Sequence, residues 1–134
     1  MSYVVLDTDV ASAILRGRLS GPLATRLTGH DLAITFVTVA ELERWRLVRD
    51  FGPRRTASLV SFYNQVVVLP YSRRVAETWG AVQAGAQLRG RPRPQNDTWI
   101  AACCLVHGVP LATFNTKDFA EFETHDGLEI WTGP

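Results

Sequence analysis

Short apolar runs alternate along the chain with longer stretches in which apolar residues recur every three or four positions. That alternation of strand-like and helix-like periods predicts an α/β fold with a central, mostly parallel sheet. YVVL (3–6) is a continuous apolar run of strand length, as expected for a strand buried on both faces. DVASAILRG (9–17) follows as a helix stopped at Gly17, PLATRLT as a short helix opened by a proline, and DLAITF (31–36) as a second strand. In TVAELERWRLVRDF (38–51), Val39, Leu42, Trp45 and Val48 share one helical face. PRRTASLVSFYNQV (53–66) predicts a further helix, VVVL (66–69) a third strand, and SRRVAETWGAVQAGAQLRG (72–90) a long helix ended by Gly90. Beyond the loop GRPRP, NDTWIAACCLVHG reads as a buried helix closed by Gly108, VPLATF (109–114) as a fourth strand and LEIW (128–131) as a fifth. Glu121, Glu123 and Asp126 fall in a late segment expected to be exposed.

At 134 residues and 46% hydrophobic content, the chain is long enough for one domain with a sizeable core and too short for two ordinary ones, so residues 1–134 are read as one domain. No apolar run approaches the roughly 18 residues of a membrane span, and the first run is cut short by Asp7 without a basic leader; a cytoplasmic protein is expected. Cys103 and Cys104 are adjacent in a helical pattern and match no zinc-site spacing, which marks them as buried, reduced thiols. The net charge is only +1, yet it is unevenly spread. From Arg44 to Arg93 ten arginines face two acids, Asp50 and Glu77, whereas beyond them six acids face Lys117 alone. Two readings stand at this point: solvated helix faces, or guanidinium groups that meet phosphates.

The acids are informative by position. In a parallel sheet flanked by helices, ligands bind beyond the carboxyl ends of the strands. Asp7 directly follows the first strand, Glu41 lies one turn into the helix after the second, Asp97 heads the helix leading to the fourth, and Asn115 with Asp118 follows the fourth. Each has a local alternative. Asp7 and Thr8 suit a helix cap, Thr38 and Glu41 match a capping box, Asn96 and Asp97 suit another cap, and Asn115 with Asp118 suits the start of a short turn. Taken together, converging carboxylates would repel one another unless a divalent cation neutralised them. Oxygen donors without His or Cys point to Mg²⁺ or Mn²⁺.

The ordered set VVLDTDVASAIL, TFVTVAELERW, QNDTWIAACCLVHGVPLAT and FNTKDF resembles the PIN-domain ribonucleases, and among them the VapC-type toxins of bacterial toxin–antitoxin pairs. The match runs over essentially the whole chain. It implies a single PIN domain, a three-layer α/β/α sandwich around a five-stranded sheet. Carried over by position, Asp7, Glu41 and Asp97 match the family's three acids, and Thr8 matches the hydroxyl residue beside the first. The fourth acidic position falls in TFNTKDF, which offers Asn115 first and Asp118 three residues later; Asp118 is preferred, with Asn115 as its polar neighbour. The implied activity is that of a Mg²⁺-dependent endoribonuclease in which Asp7 and Asp97 hold the metal directly. Glu41 and Asp118 would position a second ion or the attacking water, and in-line attack would leave a 5′-phosphate and a 3′-hydroxyl. The resemblance also implies a homodimer and a VapB-type antitoxin whose C-terminal segment covers the acidic pocket. Flanking phosphates of the RNA need cations at the rim, and Arg89, Arg91 and Arg93 in the Pro-stiffened loop are the nearest in sequence to Asp97.

Two other classes compete. LDTDV also satisfies the nucleophile motif of haloacid-dehalogenase-type phosphatases, with Asp7 attacking phosphate and Asp9 as general acid. That chemistry needs a lysine before a late acid pair, and Lys117 comes too late. Otherwise Asp9 simply complements the dipole of the first helix. The second alternative is a PIN-type module that binds RNA or a partner without cutting. Trp45, Trp79 and Trp99 fall on helix patterns as core or interface residues, and apolar surface around Leu42, Trp45, Leu47 and Val48 suits a partner.

Overall fold

The computed structural model describes residues 3–133. Five strands, β1 (Tyr3–Leu6), β2 (Asp31–Thr35), β3 (Val67–Leu69), β4 (Leu111–Ala112) and β5 (Ile130–Trp131), form one sheet in the order β3-β2-β1-β4-β5, and every pairing is parallel. Seven helices connect them among the described residues: α1 (Thr8–Leu15), α2 (Gly21–Leu27), α3 (Phe36–Val48), α4 (Pro53–Gln65), α5 (Arg73–Leu88), α6 (Gln95–His107) and α7 (Thr116–Asp126).

Period-two alternation in the central strands builds a core on each face. Val4 and Leu6 of β1 with Ile34 of β2 pack under α1 to α4, meeting Val10, Leu23, Leu42 and Phe62. Val5 and Ala33 point the other way, into a core closed by Val75 and Val82 of α5, Ile100 of α6, and Phe119 and Phe122 of α7. The result is the three-layer α/β/α arrangement expected from the resemblance. Both faces of β1 are covered, which explains why its sequence is uninterruptedly apolar.

Several boundaries differ from the sequence reading. The helix expected from residue 38 begins at Phe36, because Thr35 leaves β2 and caps it, its hydroxyl accepting the Thr38 N–H at 3.3 Å. The fourth strand, expected over 109–114, pairs only through Leu111 and Ala112, and the fifth is likewise reduced to Ile130–Trp131. The stretch after β4 is no short turn but a helix of 11 residues, α7, whose buried Phe119 and Phe122 press onto the sheet. Gly108, in the left-handed conformation at φ 64°, ends α6 as expected. Cys103 and Cys104 are free and buried in α6, and burial pushes the Cys103 thiol up to about 11. No helix among the described residues is long and apolar enough to cross a membrane.

The loop between α5 and α6 is tied down by one side chain. Gln83 of α5 accepts the Arg93 N–H at 3.1 Å and donates to the Arg93 carbonyl at 2.6 Å and to the Thr98 hydroxyl at 3.0 Å. Thr98 in turn donates to the Pro94 carbonyl at 2.7 Å. These bonds set where α6 starts and so where Asp97 stands. Gln83→Ala should lower stability by about 1–3 kcal/mol, since it unpairs several half-buried polar groups at once. Urea midpoints and limited proteolysis at residues 91–94 check this; an unchanged midpoint and cleavage pattern would show the loop to be held by other means.

Candidate active site at the switch point of the sheet

From β1 the chain proceeds outward to β2 and β3, then returns through α5 and α6 to place β4 on the opposite side of β1. The connections leaving β1 and β4 therefore diverge, and a crevice opens between them at their carboxyl ends. Asp7 follows β1 there, and Thr113 and Asn115 follow β4. A cleft of about 340 Å³ occupies this point, lined by Asp7, Thr8, Asp9, Glu41, Asp97 and Asn115 among others.

Asp7 is 6% exposed and held on both oxygens. Its Oδ1 accepts the Thr8 N–H at 2.8 Å, and its Oδ2 accepts the Thr113 hydroxyl at 2.8 Å. Thr113 accepts the Asn115 N–H at 2.9 Å, which fixes the direction of its own proton toward Asp7. Glu41 is oriented by a second relay. The Thr8 hydroxyl donates to Glu41 Oε1 at 2.6 Å and lies 3.0 Å from the Thr38 hydroxyl. A hydroxyl has one proton, so Thr38 must be the donor to Thr8. The role of Thr8 as a supporting residue thus has a geometry: it joins the first acid, through its backbone, to the second, through its side chain.

Local capping does not account for most of these positions. Thr38 lies inside α3 rather than at its cap, so Glu41 closes no capping box. Asp97 stands in the third position of α6, whose cap is Pro94, and it receives no protein hydrogen bond among those described. It gains from the helix dipole, but no cap explains it. Asn115 caps α7 through its backbone only; its side chain reaches across the cleft and donates to Asp9 Oδ2 at 2.8 Å. Asp9 is the residue the sequence reading undervalued. It shares the cleft, and its charge bears on both Asp7 and Asp97. Asp118, in the first turn of α7, does not line the cleft, although its charge is the strongest of those acting on Asp97.

Electrostatically the cleft is a frustrated cluster of acids. Burial chiefly, and then the charges of Asp9 and Asp97, push Asp7 up to about 6 against the pull of its two hydrogen bonds. Burial again, followed by Asp118, Glu41 and Asp9, pushes Asp97 up to about 6, with Arg93 opposing. Both carboxyls thus hold their protons to higher pH than a free aspartate does when no cation is bound. Among the described residues, no three His, Cys, Asp or Glu side chains sit close enough to cage an ion by themselves. The donor set nevertheless fits Mg²⁺ or Mn²⁺: these ions prefer oxygen, and Mg²⁺ typically binds through one or two carboxylates, retaining waters and taking phosphate oxygens from substrate.

The arginines are distributed differently from the sequence expectation. Arg91 is engaged by Glu121 of α7 at 3.2 Å, and Arg89 caps the C-terminus of α5 and acts on Asp126. Arg93 alone of the three bears on Asp97, with its Nε donating to the Arg91 carbonyl at 3.1 Å. The cause is the Gln83 clamp together with α7, which supplies Glu121 and Asp126 from a segment expected only to be exposed. The cationic wall of the cleft is made by Arg16, at the C-terminal cap of α1, and Arg44 of α3. Arg16 lies outside the basic block that stands out in the sequence, and Arg44 is its first member.

The family model described as PIN domain matches residues 4–124. The chain belongs to the PIN domain family. This membership removes the phosphatase alternative, and the chain's one lysine, Lys117, is absent from the cleft lining. Among curated relatives, Ribonuclease VapC4 of Mycobacterium tuberculosis is 29% identical over 98 residues, covering 71% of this chain and 74% of its own. The tRNA(fMet)-specific endonuclease VapC of Shigella flexneri is 28% identical over 138 aligned positions, covering 98% of this chain and all (100%) of the relative. Among solved structures, VapBC-5 of Mycobacterium tuberculosis, a member of the VapBC family of toxin–antitoxin systems, superposes with a TM-score of 0.73 at 28% identity, covering 98% and 99% of the two chains. VapBC2 of Rickettsia felis, solved on a DNA fragment from its promoter, gives a TM-score of 0.79 over the same shares at 18% identity, which is a likeness of PIN fold alone.

The raised acids of this PIN domain have a consequence for stability. An unfolded aspartate ionises near 3.8, and Asp97 in the fold near 6, so the folded state holds the extra proton between those values. The metal-free protein therefore loses stability as pH rises from about 4 to 6. Asp97→Asn should remove part of that slope and stabilise the metal-free protein at pH 7 by about 1 kcal/mol, discounted for the half-exposed position. Thermal melts in chelator from pH 4 to 7 check it; a variant whose melting curve tracks the parent across the range would refute the coupling.

Proposed function

We propose that this PIN domain is a metal-dependent endoribonuclease, the VapC-type toxin of a VapBC-type toxin–antitoxin pair. The observation that carries the reading is the meeting of Asp7, Glu41 and Asp97, from three separated segments, in one cleft where local capping accounts for neither Glu41 nor Asp97. The names of the VapC relatives supply the reaction class, ribonuclease, and the VapBC structures supply the class of partner, a VapB-type antitoxin.

Asp7 and Asp97 are the residues that would hold Mg²⁺ or Mn²⁺. Bound there, the ion supplies a Lewis acid that acidifies water and neutralises charge gathering on the phosphate. Asp7 enters with both oxygens pre-aligned by Thr8 and Thr113, so little reorganisation is required. Glu41 offers Oε2, which takes no hydrogen bond from the described residues, while Thr8 steadies Oε1; this suits it to orient a water for in-line attack. Asp9, fixed by Asn115, adds negative charge to the same wall, and Asp118 adds it from α7. Arg16 and Arg44 hold flanking phosphates that this acidic floor would repel.

Purified protein with Mg²⁺ or Mn²⁺ should cleave RNA to 5′-phosphate ends, and chelator should abolish the cleavage. Asp7→Asn and Asp97→Asn should each reduce the rate by at least about 10²-fold. End sequencing after induction in cells, with Asp97→Asn as control, reads the same activity. RNA binding that persists without cleavage at any metal concentration would make the chain a binding module.

RNA affinity should fall with salt, and replacing Arg16 and Arg44 together by alanine should flatten that dependence by roughly 0.7 in log–log slope for each phosphate left without its arginine. Arg91→Ala, which removes an arginine already engaged by Glu121, should leave the slope near the parent value. Titrations of an uncleavable single-stranded RNA between low and moderate salt measure this. The opposite ranking would return the phosphate-binding role to the α5–α6 loop.

A further inference from the structure

A second cavity, of about 330 Å³, adjoins the acidic cleft and shares Glu41 and Arg44 with it. Its lining is otherwise largely aromatic and apolar, with Phe36, Val37, Ala40 and Trp99, and includes Asn96. The aromatic group extends beyond the residues that line the cavity. Trp99 packs against Phe36 with ring centroids 5.8 Å apart and stacks on Trp79 at 5.2 Å, and exposed Tyr71 closes edge-on at 6.3 Å from Phe36 and 6.4 Å from Trp99. The Trp79 indole N–H donates to the Gln95 carbonyl at 3.3 Å, so the stack is fastened to the first turn of the helix that carries Asp97.

We infer that this aromatic cavity is a base-binding subsite, receiving the unstacked nucleobase of a single-stranded RNA nucleotide next to the phosphate that lies in the acidic cleft. The inference rests on the nuclease reading and adds to it the form of RNA taken: a strand with a base free to turn out, not a continuous duplex. Three features favour a nucleobase over a protein side chain. The cavity borders the acidic cleft at Glu41 and Arg44, so a nucleotide whose phosphate meets the Arg44 guanidinium has its base beside the residues that line the cavity, Trp99 among them. Arg44 is exposed and pairs with no carboxylate among the described residues, leaving it free for an anion. The wall joins π-faces to one amide, the combination by which single-stranded RNA is held: stacking supplies affinity, and a polar side chain reads a base edge. A protein ligand would instead have to cover Glu41, Arg44 and the exposed Asn96 amide at the cavity mouth.

The test uses the full chain and a short single-stranded RNA, which stays intact because every titration is run in chelator. Affinity is measured in chelator by fluorescence anisotropy for the intact strand and for versions lacking the base at one position at a time. One position is expected to be sensitive, its abasic form binding about tenfold more weakly. Ala40→Met, at an exposed helical position on the cavity wall, fills the space while leaving the core packing intact, and should erase that sensitivity. Trp99→Leu, which keeps an apolar side chain but removes the π-face, should erase it too, with circular dichroism to establish folding. An abasic series with no sensitive position, or one unchanged in Ala40→Met, would overturn the subsite. So would an Ala40→Met protein whose oligomeric state shifts while its abasic profile stays as in the parent, since the cavity would then be a contact between copies. Metal-dependent cleavage assayed in parallel separates the two readings: cleavage without base sensitivity rejects the subsite alone, and base sensitivity without cleavage at any metal concentration rejects the nuclease alone.

Discussion

The arrangement of this protein turns on one buried carboxylate, Asp7, at the carboxyl end of a strand covered on both faces. It lies where the sheet's connections diverge, so it looks into a crevice and not into packed core. An unpaired acid in that position would be costly, and the structure answers with the Thr8 N–H and the Thr113 hydroxyl, one from the helix after β1 and one from the turn after β4. Those bonds bring together segments 106 residues apart in sequence. Hydrogen bonding orients the acid without making its charge comfortable, as its elevated pKa of about 6 shows.

The remaining acids extend the same tension. Asp97 receives no compensating protein hydrogen bond among the described residues and faces the charges of Asp118, Glu41 and Asp9. A chain selected only for stability has no reason to retain such a group at a half-buried position, since its ionisation opposes folding. The tension is intelligible if the cluster exists to hold a cation and, through it, a phosphate. Stability given up in the empty fold becomes affinity once positive charge is supplied. The two threonine relays limit how far the acids can relax away from each other.

Around this floor the surface changes character within a few residues. Arg16 and Arg44 bring positive charge to the cleft wall, and just past Arg44 the lining becomes aromatic. Acid, cation and π-face therefore occur in the succession that metal, phosphate and base would require of a bound nucleotide. The helices supply this order jointly: α1 and α3 give the arginines, while α3 and α6 give the rings. The Gln83 clamp matters for the same reason, because it fixes the start of α6 and thus both Asp97 and Trp99.

Much of this is legible in the amino-acid sequence. Apolar periodicity places the five strands and six of the helices, because a strand buried on two faces and a helix buried on one leave different spacings. The helix after β4 escapes it: its apolar residues are few, and the acids at 118, 121, 123 and 126 disguise a face carried mainly by Phe119 and Phe122. The positions of Asp7, Glu41 and Asp97 after or before strands point to a common edge of the sheet. Their partners do not follow from local sequence. Asp9 resembles a helix-dipole residue until Asn115 reaches it from the far side of the cleft, and Arg91 resembles a free cation until α7 supplies Glu121. Element type and strand-end location follow from covalent neighbours and their periodicity, so sequence alone determined them. Which charges face one another, which arginines stay unpaired and which rings share a cavity depend on contacts between distant segments, and only the tertiary structure decided those.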